Sequence, residues 1–367
     1  MNTYKNKVTT AFYLWLAVVG FAQLERATAA TDDIVPPQPA EIIGVLRTHF
    51  VDSEKLDQNL LNEATISGIL QVLGQGAQLL TVEQAASNAV ESAARTTSLP
   101  EPLPRAEIIE PDIGYVRIAD IAAGTAVALD AELKQFAAAK VTGYVLDLRF
   151  ADGTDYTAAA AVASRFTAPN VELFTLKQSG ATAKIFRATD TTGAPAAGLA
   201  DAPLMVLVNA QTRGAAEAVA GALRGQERGI LIGGNTAGAA AAWQDIKLKD
   251  GRVLRVATAK VTLPKGTELF PTCIMPDVPV KADLIVEQEA VINAATNVTL
   301  GAALQPREQK KGLTEADLVK AFRGEAIGTN RPAASGESES EILPVRDVVL
   351  QRAVDILKGI RVLLSWQ

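Results

Sequence analysis

The chain has 367 residues, a formal net charge of −6 from 35 Lys and Arg against 41 Asp and Glu, and 48% hydrophobic residues. That length is roughly two domains' worth, with ample apolar material for a core, and no basic cluster suggests a nucleic-acid footprint. Cys273 is the one cysteine, which excludes an intramolecular disulfide framework and a cysteine-based zinc site.

The N-terminus has the features of an export signal. Lys5 and Lys7 precede an apolar stretch, Ala11–Ala22, and the small residues Ala27-Thr28-Ala29 follow, the order of a secretory signal peptide. The stretch is short against the ~20 apolar residues of a membrane span. The reading is therefore a signal peptide over 1–29, with a retained N-terminal anchor, and membrane contact only in that case, as the alternative. No cysteine lies just after the apolar stretch, which argues against lipoprotein processing.

Residues 31–40 are Pro-rich and polar, and complete a leader. From Glu41 two helical patterns follow, the first carrying Ile42, Ile43, Val45 and Leu46, the second Leu60, Leu61, Ala64, Ile69 and Leu70. Asp52 and Ser53 between them are turn and N-cap types. His49, the sole histidine, falls in the first pattern and reads as a helix-surface residue; a Ser-His-Asp arrangement or a histidine metal site would have to use it. No metal and no cofactor are expected.

Ile113–Ile118 reads as the first core strand and Ala126–Ala139 as an Ala-rich helix. Gly143–Arg149 is a buried strand ending in the charged pair Asp147/Arg149, read as a structural ion pair, and Ala158–Phe166 is the next helix. Residues 171–200 hold two short strands and a Gly/Ala/Thr-rich turn. The organising stretch comes next. Leu204–Val208 is an uninterrupted apolar run, as suits a strand buried on both faces of a parallel sheet. A polar turn, Asn209–Arg213, leads to apolar residues at Ala215, Ala218, Val219, Ala222 and Leu223, which is helical spacing. Gly229–Ile232 returns to the sheet, and Gly233-Gly234-Asn235-Thr236-Ala237-Gly238 turns out of it. Such turns at the carboxyl ends of strands are where α/β proteins place their sites. As a phosphate loop this turn lacks the following Gly-Lys-Ser/Thr.

Gly251–Val261 reads as a long strand, Cys273 as a packing residue beside the Pro276-Asp277 turn, and 282–304 as apolar to mixed without a clear element. Residues 305–343, with Lys310-Lys311 and the acidic run from Gly336 to Glu341, read as a mobile insertion around one helix, Glu315–Phe322. Val345–Leu364 has an apolar helical face.

In these motifs the chain resembles serine peptidase family S41, the C-terminal processing or tail-specific peptidases. Leu207-Val208-Asn209, Glu217, Ala220-Gly221-Ala222-Leu223, Arg228, Gly233, Thr236 and Gly238 fall without a gap on that family's LVN…E…AGAL…G-x-x-T-x-G pattern. Ile113–Ile118, Asp147/Arg149, Gly251–Gly266, Cys273–Val278 and the final helix match further family segments in order. The resemblance implies an α/β fold: the tail-specific-protease core, a ClpP/crotonase-like β-β-α architecture, with an N-terminal helical segment and a C-terminal helix. It suggests domains at 30–103 (leader and helices), 104–304 (core), 305–343 (insertion) and 344–367 (C-terminal helix).

The same register places the family's nucleophilic serine on Gly214, its general-base lysine on Ala239, and its supporting glutamine on Trp243, with Gln244 one position off. A serine–lysine dyad needs a hydroxyl beside an amine able to take its proton; neither is present. For the oxyanion hole, the backbone donors correspond to Gly153 and Ala215, with Thr154 where the family has a second glycine. The twenty-five or so residues from Thr81 to Arg105 are too few for the PDZ domain many members carry there, the device that would capture a substrate's C-terminus by strand addition. The implied protein is an exported, catalytically silent S41 homologue of the bacterial periplasm or cell envelope. It would bind a peptide or protein along the strand edges near 144–155 and 204–214, or serve as a scaffold. The alternative is an active endopeptidase acting on protein C-termini with relocated groups: Thr212 or Thr236 as nucleophile and Lys247, Lys249 or Lys260 as base.

Overall fold

The computed structural model describes residues 38–52, 56–87, 105–190, 202–293, 300–304 and 346–364. The expected signal peptide, the insertion at 305–343 and its helix Glu315–Phe322 lie outside the described residues. Two compact units divide at Val72/Leu73.

The first unit holds helix α1, Pro39–His49, and nearly all of α2, Gln58–Leu73. Pro39 opens α1, where its missing N–H costs nothing, and Arg47 and His49 lie in the last turn, favourable to the helix dipole. His49 is exposed there, as a surface residue.

The second unit is built on a six-stranded sheet ordered β11-β8-β7-β4-β3-β2. Its strands are β2 (Arg105–Ile109), β3 (Ile113–Arg117), β4 (Gly143–Asp147), β7 (Leu204–Val208), β8 (Ile230–Gly233) and β11 (Val278–Pro279). All neighbours pair in parallel except β2 with β3. Every residue of β3, β4 and β7 is buried. The cause is coverage of both faces. On one face Leu146, Val206 and Val208 pack with α3 (Thr125–Ala138), α4 (Tyr156–Ala163) and α5 (Ala215–Gly225). On the other, Val145, Met205 and Leu207 pack with Val349, Leu350, Ala353 and Leu357 of the C-terminal helix. Strands enclosed this way read as continuous apolar runs rather than alternating ones.

A second, antiparallel sheet is centred on β10, Val253–Thr262. One edge of β10 carries β9 (Ala241–Lys247); the other carries β1 (Ala77–Leu80) and β5 (Glu172–Gln178), with β6 (Lys184–Arg187) beyond β5. Strand β1 therefore belongs to the core unit, although its sequence neighbours are the N-terminal helices. Helices α6 (Leu284–Asn293), α7 (Leu300–Ala303) and α8 (Val348–Leu364) follow later in the chain. No described helix is long and apolar enough to cross a membrane.

This is the α/β architecture that the resemblance implies, with one correction. Strands β4 and β7 lie inside the sheet, each paired on both sides. Their edges are not open to an added strand, so the expected binding along strand edges near 144–155 and 204–214 finds no free edge on β4 or β7.

Candidate active site

Three turns meet at the carboxyl ends of β4, β7 and β8. The turn after β7 enters α5 through Gly214, at φ 55° and ψ −121°. That backbone conformation favours glycine, and a Cβ there would overlap the carbonyl oxygen of Gly153. Helix α5 follows because its residues are Ala-rich and its first turn carries Glu217, three residues past the cap.

Glu217 is the hub. Its side chain is fully buried and accepts four hydrogen bonds. Oε2 receives the Gly214 N–H at 3.1 Å and the Ala239 N–H at 2.7 Å; Oε1 receives the Thr236 hydroxyl at 2.5 Å and the Gly238 N–H at 2.7 Å. Burial pushes its carboxyl above the ordinary glutamate range, with these four donors pulling the other way. The sequence marks Glu217 as a first-turn carboxylate favourable to the helix dipole. It does that, and also fastens the turn after β8 to the turn after β7. The positions of the expected nucleophile and base thus converge on one carboxylate oxygen, one as glycine, the other as alanine.

Of the expected substitutes, Thr212, Thr236 and Lys260 are engaged elsewhere. Thr212 is buried; its hydroxyl donates to the Leu148 carbonyl at 2.8 Å and accepts the Asn209 N–H at 3.0 Å. Thr236 donates to Glu217 and accepts the Ile274 N–H at 2.9 Å. Lys260 pairs with Glu268 at 2.6 Å, while Lys247 ends β9 and Lys249 follows in an exposed turn. Trp243 stands on β9 with its ring edge-on to Phe270, centroids 5.8 Å apart, so an aromatic contact fills the position of the supporting glutamine. Gln244 is exposed. Among the described residues no group of His, Cys, Asp and Glu could hold a metal ion.

The two expected oxyanion donors are both engaged within the chain. The Ala215 N–H donates to the Gly153 carbonyl at 2.8 Å, and the Gly153 N–H to Asp152 Oδ1 at 2.8 Å.

Behind the turns lies a buried charge cluster that sequence reasoning saw only in part. Arg149 forks onto Asp147 (Nη2 to Oδ2, 2.6 Å) and onto Asp347 (Nη1 to Oδ1, 2.9 Å; Nη2 to Oδ2, 2.7 Å), with Glu287 3.8 Å away. Tyr115 donates to Asp147 at 2.8 Å and Asn209 to Glu287 at 3.2 Å. Asp347 also caps α8, accepting the N–H groups of Val349 and Leu350. The one available signal was Asp347 itself, an N-cap residue type before an apolar helical run. Burial pushes the Asp147 carboxyl up, but Arg149 outweighs it and holds the group below the ordinary range. Burial raises Glu287, against the pull of Arg149 and Asn209.

A pH dependence follows. Glu217 and Glu287, raised in the fold, favour the protonated folded state. Stability grows as pH falls through their folded values towards the ordinary glutamate value of about 4.3. Asp147, depressed in the fold, contributes stability above its ordinary value of about 3.9 and loses it as pH falls further. The melting temperature should therefore peak in mildly acidic solution and decline on both sides. Glu287→Gln should flatten the alkaline limb in a thermal-melt series, and an unchanged limb would remove Glu287 from the account.

The model of peptidase family S41 matches residues 112–280, the stretch that contains all three turns. The chain belongs to peptidase family S41. A carboxyl-terminal-processing protease of Picosynechococcus sp. is 30% identical over 203 residues, covering 55% of this chain and 47% of that protein. One from Bartonella bacilliformis is 30% identical over 260 residues, covering 68% and 53%. The S41 chain thus spans about half the length of these curated relatives. Among solved structures, the photosystem II D1 C-terminal processing protease is 30% identical over 46% of this chain and 42% of that one, with a TM-score of 0.40.

Proposed function

We propose that this S41 protein is catalytically silent and is exported to the bacterial cell envelope, where the cleft serves as a peptide- or protein-binding platform. The observation that carries the reading is the meeting of Gly214 and Ala239 on Glu217 Oε2. The turns that would carry a nucleophile and a base still meet on this carboxylate, yet they hold no hydroxyl and no amine at those two positions, and acyl transfer by a dyad requires both. Export rests on the charged, apolar and small-residue order of 1–29. Binding rests on the retention of so much packing around a site without its chemistry.

The test is hydrolysis. Purified protein incubated with an unfolded protein and with peptides bearing apolar C-termini should give no cleavage above buffer, while anisotropy of the labelled peptides should report binding. Cleavage that disappears on Thr212→Ala, or on removal of Lys260, would overturn the silent reading in favour of relocated groups.

A further inference from the structure

The loss of two side chains is the obvious reason for silence, but the backbone between β4 and α4 carries a separate one. In acyl transfer the developing oxyanion needs N–H donors at the nucleophile turn. Here the Gly153–Thr154 peptide points its carbonyl oxygen, an acceptor, to that place. The oxygen takes the Ala215 N–H at 2.8 Å and sits where a Cβ on Gly214 would overlap it. The loop is wedged on both sides. Asp152 N–H donates to Ala119, Ile121 N–H to Asp152, and Arg213 N–H to Ala151, at 3.2, 2.9 and 2.9 Å. Gly153, at φ 147°, lies against Ile121, whose oxygen would be 2.6 Å from an added Cβ.

We propose that Thr154 is the positioning residue that keeps this hole inverted. A peptide plane moves as a unit. Turning the Gly153–Thr154 plane over would swing its carbonyl away, release the Ala215 N–H and aim the Thr154 N–H at the same spot, converting acceptor to donor; the Gly153 N–H, in the preceding peptide, would stay on Asp152 Oδ1. The rotation changes ψ of residue 153 and φ of residue 154 by about half a turn. Gly153 tolerates its share. Thr154 is not among the non-glycine residues with positive φ, so the turned-over plane would drive it there, where a β-branched residue is a genuine outlier. The side chain of Thr154 is exposed, so its effect is on the backbone rather than on packing. Silence in this chain therefore has two layers, and restoring Ser and Lys at 214 and 239 addresses only one. Worse, a serine Cβ at 214 collides with the inward carbonyl.

The inference rests on the silent reading above, yet the two can fail apart. The measurement is amide hydrogen exchange, residue by residue, on the full chain. The Ala215 amide should be strongly protected in the parent protein. Thr154→Gly should raise its exchange on the order of tenfold, with Val219 in the same helix unchanged, while Thr154→Ala should stay close to the parent. A purely structural role for Thr154 would instead shift Ala215 and Val219 together. Exchange of Ala215 at the rate of a free amide in the parent, or identical behaviour of the Gly and Ala variants, overturns the proposal. A chain that cleaves peptides with Ala215 protected would sink the silent reading and leave the inverted hole standing; a silent chain with Ala215 freely exchanging would do the reverse.

Discussion

Replacing Arg149 with methionine is expected to cost about 5 kcal/mol, at or beyond the upper end for a broken buried ion pair, and to lower the melting temperature by roughly 10–20 °C. The reason is the surplus of anions. One fully buried guanidinium serves Asp147, Asp347 and, at 3.8 Å, Glu287. Without it, three carboxylates would remain inside with only Tyr115, Asn209 and backbone N–H groups to address them. Partial compensation would come from protonation, so the variant should regain stability as pH falls towards 5, because neutral carboxyls cost less to bury. Arg149→Lys should recover only part of the loss, since an ammonium cannot fork onto two carboxylates in one plane. Urea unfolding of the three proteins at pH 8 and pH 5 checks this. A methionine variant within about 1 kcal/mol of the parent at pH 8, inside the range of an exposed ion pair, would mean that the cluster is open to water.

That cluster also marks how far the sequence could be read. The pairing of Asp147 with Arg149 is legible because the two residues end one apolar strand. Asp347 and Glu287 are not, since they lie 198 residues and 138 residues along the chain from Arg149 and come from elements with their own local reasons to exist. The same division runs through the fold. Leu204–Val208 is read to the residue because burial on both faces leaves an uninterrupted apolar run. The strand Ala241–Lys247 is harder, since four of its seven residues are exposed and its pairing with β10 is broken by a bulge between Ala257 and Ala259. Ala77–Leu80 has only four residues, and its partner strand begins at Val253, so nothing nearby announces it. Arg105–Ile109 is masked differently: its hairpin turns through Glu110 at φ 57°, where a glycine or asparagine would have signalled the turn.

At the site, residue types were legible and peptide orientations were not. Gly214 and Ala239 in place of a hydroxyl and an amine can be seen in the letters alone. That the Gly153 carbonyl occupies the donor's place cannot, because a peptide plane facing either way is spelled by the same residues. Thr154 is the one letter that bears on it, and its meaning emerges only when the plane it follows is known.

Glu217→Ala is expected to be the other large loss, about 3–5 kcal/mol. Four donors aim at this carboxylate, and each buried donor left without a partner costs about 1–3 kcal/mol. The sum is not reached because water entering the space vacated would satisfy some of them. Glu217→Gln separates the two halves of the arrangement. It keeps one acceptor oxygen, and its amide group can meet only one pair of donors with that oxygen, leaving the other pair facing an NH2. A loss of about 2 kcal/mol is expected, within the range for unsatisfied buried groups. The split should be visible by position as well: in the alanine variant the amides of Gly214, Gly238 and Ala239 should all exchange faster, whereas a helix-cap role alone would affect only Gly214. Thermal melts alongside exchange decide the matter. If Glu217→Ala melted within about a degree of the parent, the three amides and the hydroxyl would already be in contact with solvent. The turn bearing Gly214 and the turn bearing Ala239 would then be held together by the sheet beneath them, and the carboxylate between them would have no part in joining them.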